Sequence, residues 1–312
     1  MNKMYSICTE YSPVYECITS FYTFIHYKHV KSVRMGQDWY ERTKQQLPPS
    51  FAAELEDERW EVLHRVVLLI PQCPAKNTVE DFLHWLAQLP AGQLYELLAP
   101  WVTTMPLNLS EVRDKSVSLL RNWNRYYFQH FDPAILSQLE KEANQLTRQS
   151  EQMSPIDLIE EKTNGIVIEP SDHLRQVILI PQYHSYPSSV LDFYGNAATC
   201  LYPTRCPGDE EVQRVEHILQ MSQCLSDEKR LRILMYIAEG PRTLREIHQH
   251  SKLAKSTVHH HVTALRKVGF IRVHYVDNTT HCIPAYYSLR KGQWNELASE
   301  LQALLGDRRE SQ

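Results

Sequence analysis

Between Thr243 and Gly269 the sequence prescribes two short helices across a tight turn, and few folds accommodate that pattern. Thr243-Leu-Arg-Glu246 is a capping box, in which the hydroxyl and the carboxylate satisfy free backbone donors at a helix start. It predicts a helix from Leu244 to about His250, then a turn over Ser251-Lys-Leu-Ala254. A second helix runs from Lys255 to Val268 and stops at Gly269. Upstream, Ser226 through Gly240 has a cap residue, two acids suited to the positive helix end, and a Gly-Pro stop. In that helix Leu231, Leu234 and Ala238, supported by Ile237, form the expected inward face. The unit is a helix-turn-helix with a supporting core helix.

Placed at 3.6 residues per turn, the helix 255–268 turns Val258, His261, Val262, Leu265 and Val268 inward. Its opposite face collects Ser256, His259, His260, Thr263 and Lys267, with Lys255 and Arg266 at the edge and no carboxylate. Such a face suits the major groove of double-stranded DNA. Base edges are read from the first half of a reading helix, while cations near its ends hold phosphates. Ser256, His259, His260 and Thr263 are therefore assigned to bases, and Lys252, Lys255, Arg266 and Lys267 to phosphates; Thr257 completes the contact set. The three consecutive histidines point about 100° apart and cannot converge on one ion. His261 is expected to be buried and hydrogen-bonded.

Beyond Gly269, the β-prone stretches 270–276 and 285–289 flank the turn-forming Asp277-Asn-Thr-Thr280. They predict a hairpin wing. Arg272, His274, Asn278 and Thr279 are its candidate contacts to the DNA backbone or minor groove, and a hairpin that merely covers the core is the equal alternative.

Charge points the same way. The chain carries a formal net charge of −4, yet residues 215–312 hold 14 Lys and Arg against 10 Asp and Glu. From Arg242 to His274 there are seven basic residues and one acid, Glu246. A local basic patch attracts phosphate whatever the overall balance.

Ser226 through Gly240, Thr243-Leu-Arg-Glu-Ile247, Lys255 through Gly269 and Tyr286-Tyr-Ser-Leu289 together resemble the winged-helix domain of ArsR-type regulators. Ser256-Thr-Val258, His261, Leu265-Arg266 and Gly269 correspond to the recognition-helix pattern of that family. The resemblance implies a homodimeric transcriptional regulator of the bacterial type, a repressor, pairing through the flanking helices 209–224 and 292–305; a cytoplasmic location is expected from the lack of a membrane span or signal-peptide pattern. Metal-sensing members carry a paired-cysteine box on the helix that here reads Leu244 to His250. No cysteine stands there, and the C-terminal helix has no histidine, so the resemblance implies no metal and no cofactor.

The remaining length, out of 312 residues, is enough for a second and larger domain. Residues 1–205 are expected to form a mostly helical sensing or dimerisation domain for an unknown small-molecule effector, and residues 210–305 the winged helix. The fold class is mainly α with small β elements, an α+β chain. Helical segments are predicted over 14–27, 37–46, 51–70, 79–89, 94–102 and 109–148, punctuated by prolines. Three β-prone runs, 165–168, 176–180 and 197–202, predict a small sheet before a linker at 203–208. Tyr11-Ser-Pro-Val-Tyr-Glu16 followed by a helical region is similar to long ArsR-like regulators with an N-terminal domain of unassigned role.

Trp123, Tyr126, Tyr127 and Phe128 read as helical core rather than as a ligand pocket. No apolar run reaches the ~20 residues of a membrane span, and Met1 to Glu10 lacks a signal-peptide pattern. The seven cysteines form no disulfide framework, Cys200 and Cys206 being close enough for a redox pair but expected as free thiols. No nucleophile elbow, phosphate loop, dinucleotide fingerprint or zinc-protease motif is present, so the chain is not expected to be an enzyme. The competing reading is a winged-helix module that binds a protein partner without reading DNA sequence.

Overall fold

The computed structural model describes residues 4–27, 35–56, 61–102, 104–185, 187–204, 210–276 and 284–306. The chain runs through β1 (Ser6–Thr9), α1 (Pro13–Ile25), α2 (Gly36–Gln46), α3 (Pro49–Glu54) and a 3-10 stretch over Glu61–Gln72. Next come α4 (Val79–Gln88), α5 (Ala91–Leu98), α6 (Leu109–Tyr126), α7 (Pro133–Gln149) and α8 (Pro155–Lys162). The strands β2 (Ile166–Ile168), β3 (Gln176–Gln182), β4 (Val190–Tyr194) and β5 (Ala197–Pro203) follow. The last third holds α9 (Glu210–Leu225), α10 (Glu228–Ala238), α11 (Leu244–Ser251), α12 (Lys255–Lys267), β6 (Ile271–Tyr275), β7 (Tyr286–Leu289) and α13 (Gln293–Gly306). The chain is mainly helical with small sheets, an α+β fold. Among the described residues, no helix is long and apolar enough to cross a membrane.

Two compact units emerge. One comprises residues 5–151 and 173–204, the other residues 1–4, 152–172 and 205–312. This differs from a simple division at residue 205: the segment 152–172 belongs with the C-terminal elements, and the chain enters their unit, leaves it and returns.

The larger unit packs its helices on a four-stranded sheet of order β1-β3-β5-β4, parallel except for the β4–β5 pair. Its middle strand β3 is apolar and buried from Val177 on, as a strand covered on both faces must be. Helices α1 and α7 both touch it. Trp123 on α6 is fully buried among Phe21, Phe24 and Tyr127, and its indole N–H donates to Ser20 Oγ at 2.9 Å. That aromatic cluster is core. The expected helical stretch 109–148 is two helices, interrupted over 127–132 at the proline expected to mark a turn and restarted by Asp132 as N-cap and Pro133 in its first turn. An apolar cavity of about 30 Å³ beside Leu86 and Leu98 is too small for an effector molecule.

The expected sheet partner 165–168 is not in this sheet. Ile166–Ile168 instead pairs in parallel with β6, giving the C-terminal unit a three-stranded sheet of order β2-β6-β7. Its three residues are all buried, and the apolar edge of β6 satisfies them at a distance in sequence that local pattern cannot reveal. A second difference concerns α10. Its buried face is Ile233, Leu234 and Ile237, whereas Leu231 is 40% exposed and Ala238 is exposed. Contacts with α9, α11, α12 and β7 select the face that carries the i, i+4 pair Ile233 and Ile237.

Candidate nucleic-acid interface

The helix α12 is positioned by local chemistry on either side of the turn. At the start of α11, Thr243 Oγ1 accepts from the Glu246 amide at 3.2 Å and Glu246 Oε2 accepts from the Thr243 amide at 2.7 Å. The Thr243 amide, and after it the Thr243 hydroxyl, which donates to the same Oε2 at 2.8 Å, hold the Glu246 carboxyl below its ordinary range. The helix ends at Lys252 in the left-handed conformation, φ 56°, and His248 Nδ1 lies 2.8 Å from the Leu253 carbonyl, which fixes the turn. Ala254 offers no side-chain cap to α12. The first-turn amides of that helix are therefore of the kind that accept a phosphate.

Val258, His261, Val262 and Leu265 are buried, and Val268 with them. Lys252, Lys255, Ser256, His259 and His260 are exposed, while Thr257, Thr263, Arg266 and Lys267 are half-buried toward the end of the helix. The helix α12 thus keeps Lys255, Ser256, His259 and His260, all assigned above to DNA, exposed to solvent, with no carboxylate from the helix itself. Burial, with Arg266 adding to it, lowers the Lys267 ammonium below its usual range.

On the wing sheet, two of the candidate contacts are paired within the unit. Arg272 is paired with Glu160 at 2.8 Å, and Glu160 also binds Arg290 at 3.2 Å. His274 places Nδ1 2.7 Å from Glu169 Oε1 and Nε2 2.7 Å from Ser288 Oγ, with its ring stacked on Tyr286 at 4.3 Å. Tyr286 donates to the same Glu169 at 2.6 Å; burial and that carboxylate push its phenol up to about 12. Arg272 and His274 are thus each paired with a carboxylate from the segment that carries α8 and β2, the Arg272 side chain staying 41% exposed and that of His274 12% exposed. Asn278 and Thr279 lie outside the described residues, as does Cys206; Cys200 is buried on β5.

His261 is buried as expected but not hydrogen-bonded. Neither ring nitrogen has a partner, and Asp227 Oδ2 stands 3.9 Å away. Burial lowers its pKa, and the amides of Lys229 and Arg230 already occupy the Asp227 carboxylate at 2.8 and 3.2 Å.

Three residues essential to this geometry had no local sequence signal: Glu160, Asn164 and Glu169. Asn164, at φ 56°, donates from Nδ2 to the Lys267 carbonyl at 3.2 Å and accepts from Arg290. Only β2 pairing identifies their segment as part of the winged unit. In the same unit an open groove of about 290 Å³ lies between α10 and α11, where His250 stacks on Tyr236 at 3.8 Å.

Residues 227–273 match the family model described as bacterial regulatory protein, arsR family. The match takes in α10, α11, α12 and the first residues of β6, so an ArsR-type helix-turn-helix stands in the C-terminal part of the chain behind a large extra region. No curated protein and no solved structure matches the chain.

Proposed function

We propose that this protein is a sequence-specific, DNA-binding transcriptional regulator that reads the major groove with α12. The observation that carries the reading is the outer face of that helix. Lys255, Ser256, His259 and His260 are exposed there on a backbone locked by buried Val258, Val262 and Leu265. Hydrogen-bonding groups at the helix start with cations beside them match what base edges and flanking phosphates require. The ArsR-type match over the same residues supports it.

The proposal is of a cytoplasmic homodimer that represses and has no catalytic activity, with the helical unit as its sensing or dimer-building part. Support for pairing comes from the helices that flank the reader. Leu219 on α9 is 53% exposed, and Leu301 and Leu305 on α13 are 37% and 68% exposed. These exposed apolar side chains lie on two helices that pack against each other, and apolar surface left in water favours association.

The testing experiment is selection of bound duplexes from a random library by the full-length protein, followed by affinity for the winners against salt. Recovery of a two-fold motif, with log affinity falling steeply with log salt, is the expected result. A folded protein that enriches no sequence and binds without salt dependence overturns the proposal in favour of a protein-binding winged module.

A further inference from the structure

The sequence shows no metal motif on any single helix of the winged unit, yet the fold assembles a donor set from two. His217 on α9 and Glu296 and Glu300 on α13 bring one imidazole nitrogen and two carboxylate oxygens within 4.8 Å of one another. Glu296 and Glu300 are four residues apart, so they project from the same side of α13, and α9 packs against α13. His217 and Glu300 are half-buried, while Glu296 faces solvent and leaves an entry path. We infer that His217, Glu296 and Glu300 form a binding site for a divalent first-row transition cation of the zinc type.

A second observation points the same way. Glu300 Oε2 is shut off from solvent and has no hydrogen-bond partner. A buried carboxylate oxygen without a donor is costly, and its like-charged neighbour at i, i+4 adds repulsion. A cation between them removes both penalties. Bonds of about 2 Å place the ligand atoms of a tetrahedral ion roughly 3–4 Å apart, so small side-chain rotations close the observed spacing. One imidazole with two carboxylates, and no thiolate, selects zinc and its neighbours rather than copper(I), with water completing the shell. The site is distinct from the helix α11, where no cysteine stands. Its ligands are far apart in sequence and meet only when α13 returns to α9.

The test uses reduced, full-length protein titrated with cobalt(II), read by its visible ligand-field absorption, and then with zinc(II) as competitor. Wild type is expected to take up one cobalt per chain at this site and lose the colour to zinc. Loss of an outer-shell partner alone costs metal affinity about 10–100-fold, so His217→Gln, Glu296→Gln and Glu300→Gln should each weaken uptake at least tenfold. Glu296 is exposed, so E296Q keeps the test valid should the more buried variants fold poorly; circular dichroism checks all three. No uptake by wild type overturns the assignment. So does uptake unchanged in E296Q, or a sulfur-to-cobalt charge-transfer band, since either places the ion on other residues. A plain imidazole–carboxylate contact between the helices gives the first of these results.

Discussion

Glu160 on α8 holds Arg272 on β6 at 2.8 Å, so the basic residue best placed on the wing is neutralised from a segment that precedes it by more than a hundred residues. Glu160 is only 12% exposed at its side chain and serves Arg290 as well. Arg272→Ala is therefore expected to leave DNA affinity within about threefold of wild type, where removal of a direct phosphate ligand would also flatten the salt dependence. Glu160→Ala leaves two guanidinium groups short of a partner and should cost about 2 kcal/mol in urea unfolding. A large affinity loss in Arg272→Ala, with stability unchanged, would return the wing arginine to the DNA surface.

The cations of α12 should behave in the opposite way. Lys255 is exposed and Arg266 half-buried on the solvent side of the helix. Removing one phosphate-binding cation lowers the slope of log affinity against log salt by about one. The double variant Lys255→Glu, Arg266→Glu should abolish specific binding at moderate salt while its circular dichroism stays that of wild type. Retained binding would show that another surface meets DNA.

Stability of the winged unit should depend on pH through His261. Burial, and the cations Arg230, His260 and Lys229, favour its neutral form, and Asp227 only partly opposes them. The folded pKa lies below the unfolded value of about 6.5, so the unfolded chain binds more protons between the two. The contribution is complete above about pH 6.5 and is lost as pH falls toward the folded pKa. In His261→Leu that slope should vanish. Because neither nitrogen is hydrogen-bonded, the variant should be as stable as wild type at pH 8 or up to ~1 kcal/mol more so. Equal slopes of unfolding free energy against pH in both proteins would remove His261 as the cause.

What could be read from the sequence divides along the range of the interactions. The capping box at Thr243, the stop at Gly269 and the two faces of α12 are set by residues within four positions of one another, and the structure has each of them. The inward face of α10 is not decided locally, because Leu231 and Ile233 are equally apolar and only packing with α9 and β7 chooses between them. Strand β1 is only four residues long, and β4, apolar or aromatic except at Asp192, is exposed or half-buried at every position but Leu191, so neither shows the pattern of a buried strand. The partner of β2, the neutralisation of Arg272 and the meeting of His217 with Glu300 depend on pairings between distant segments. Local patterning carries no trace of those.

In the larger unit, the Glu16 carboxylate is 1% exposed and accepts the amides of Tyr183 and His184 at 2.9 and 3.0 Å, besides touching His184 Nδ1. His184 Nε2 lies 2.7 Å from the Tyr127 hydroxyl, which accepts the Trp39 indole N–H at 2.8 Å. Glu16→Gln turns one acceptor into a donor facing donors. Breaking a buried pair in this way costs about 3–5 kcal/mol. Unfolding followed by tryptophan fluorescence should report it, and a loss below ~1 kcal/mol would mean that the network relaxes around the amide.

Gly269 offers the last test, because it couples α12 to the segment 152–172. It sits at φ +78°, and a β-carbon there would overlap the Asn164 amide oxygen and approach the Arg290 guanidinium to 3.0 Å. Asn164 in turn binds the carbonyl of Lys267, the last residue of α12. Gly269→Ala thus carries the usual cost of a positive φ, about 1 kcal/mol, and also displaces the amide that ties α8 and β2 to the helix. Asn164→Ala removes that obstacle. The double variant should then be less destabilised than the two single changes added together, by about 0.5 kcal/mol or more as expected for residues that touch. Additive losses would mean that Asn164 and Gly269 act independently and that the segment is held by Glu160 and Glu169 alone.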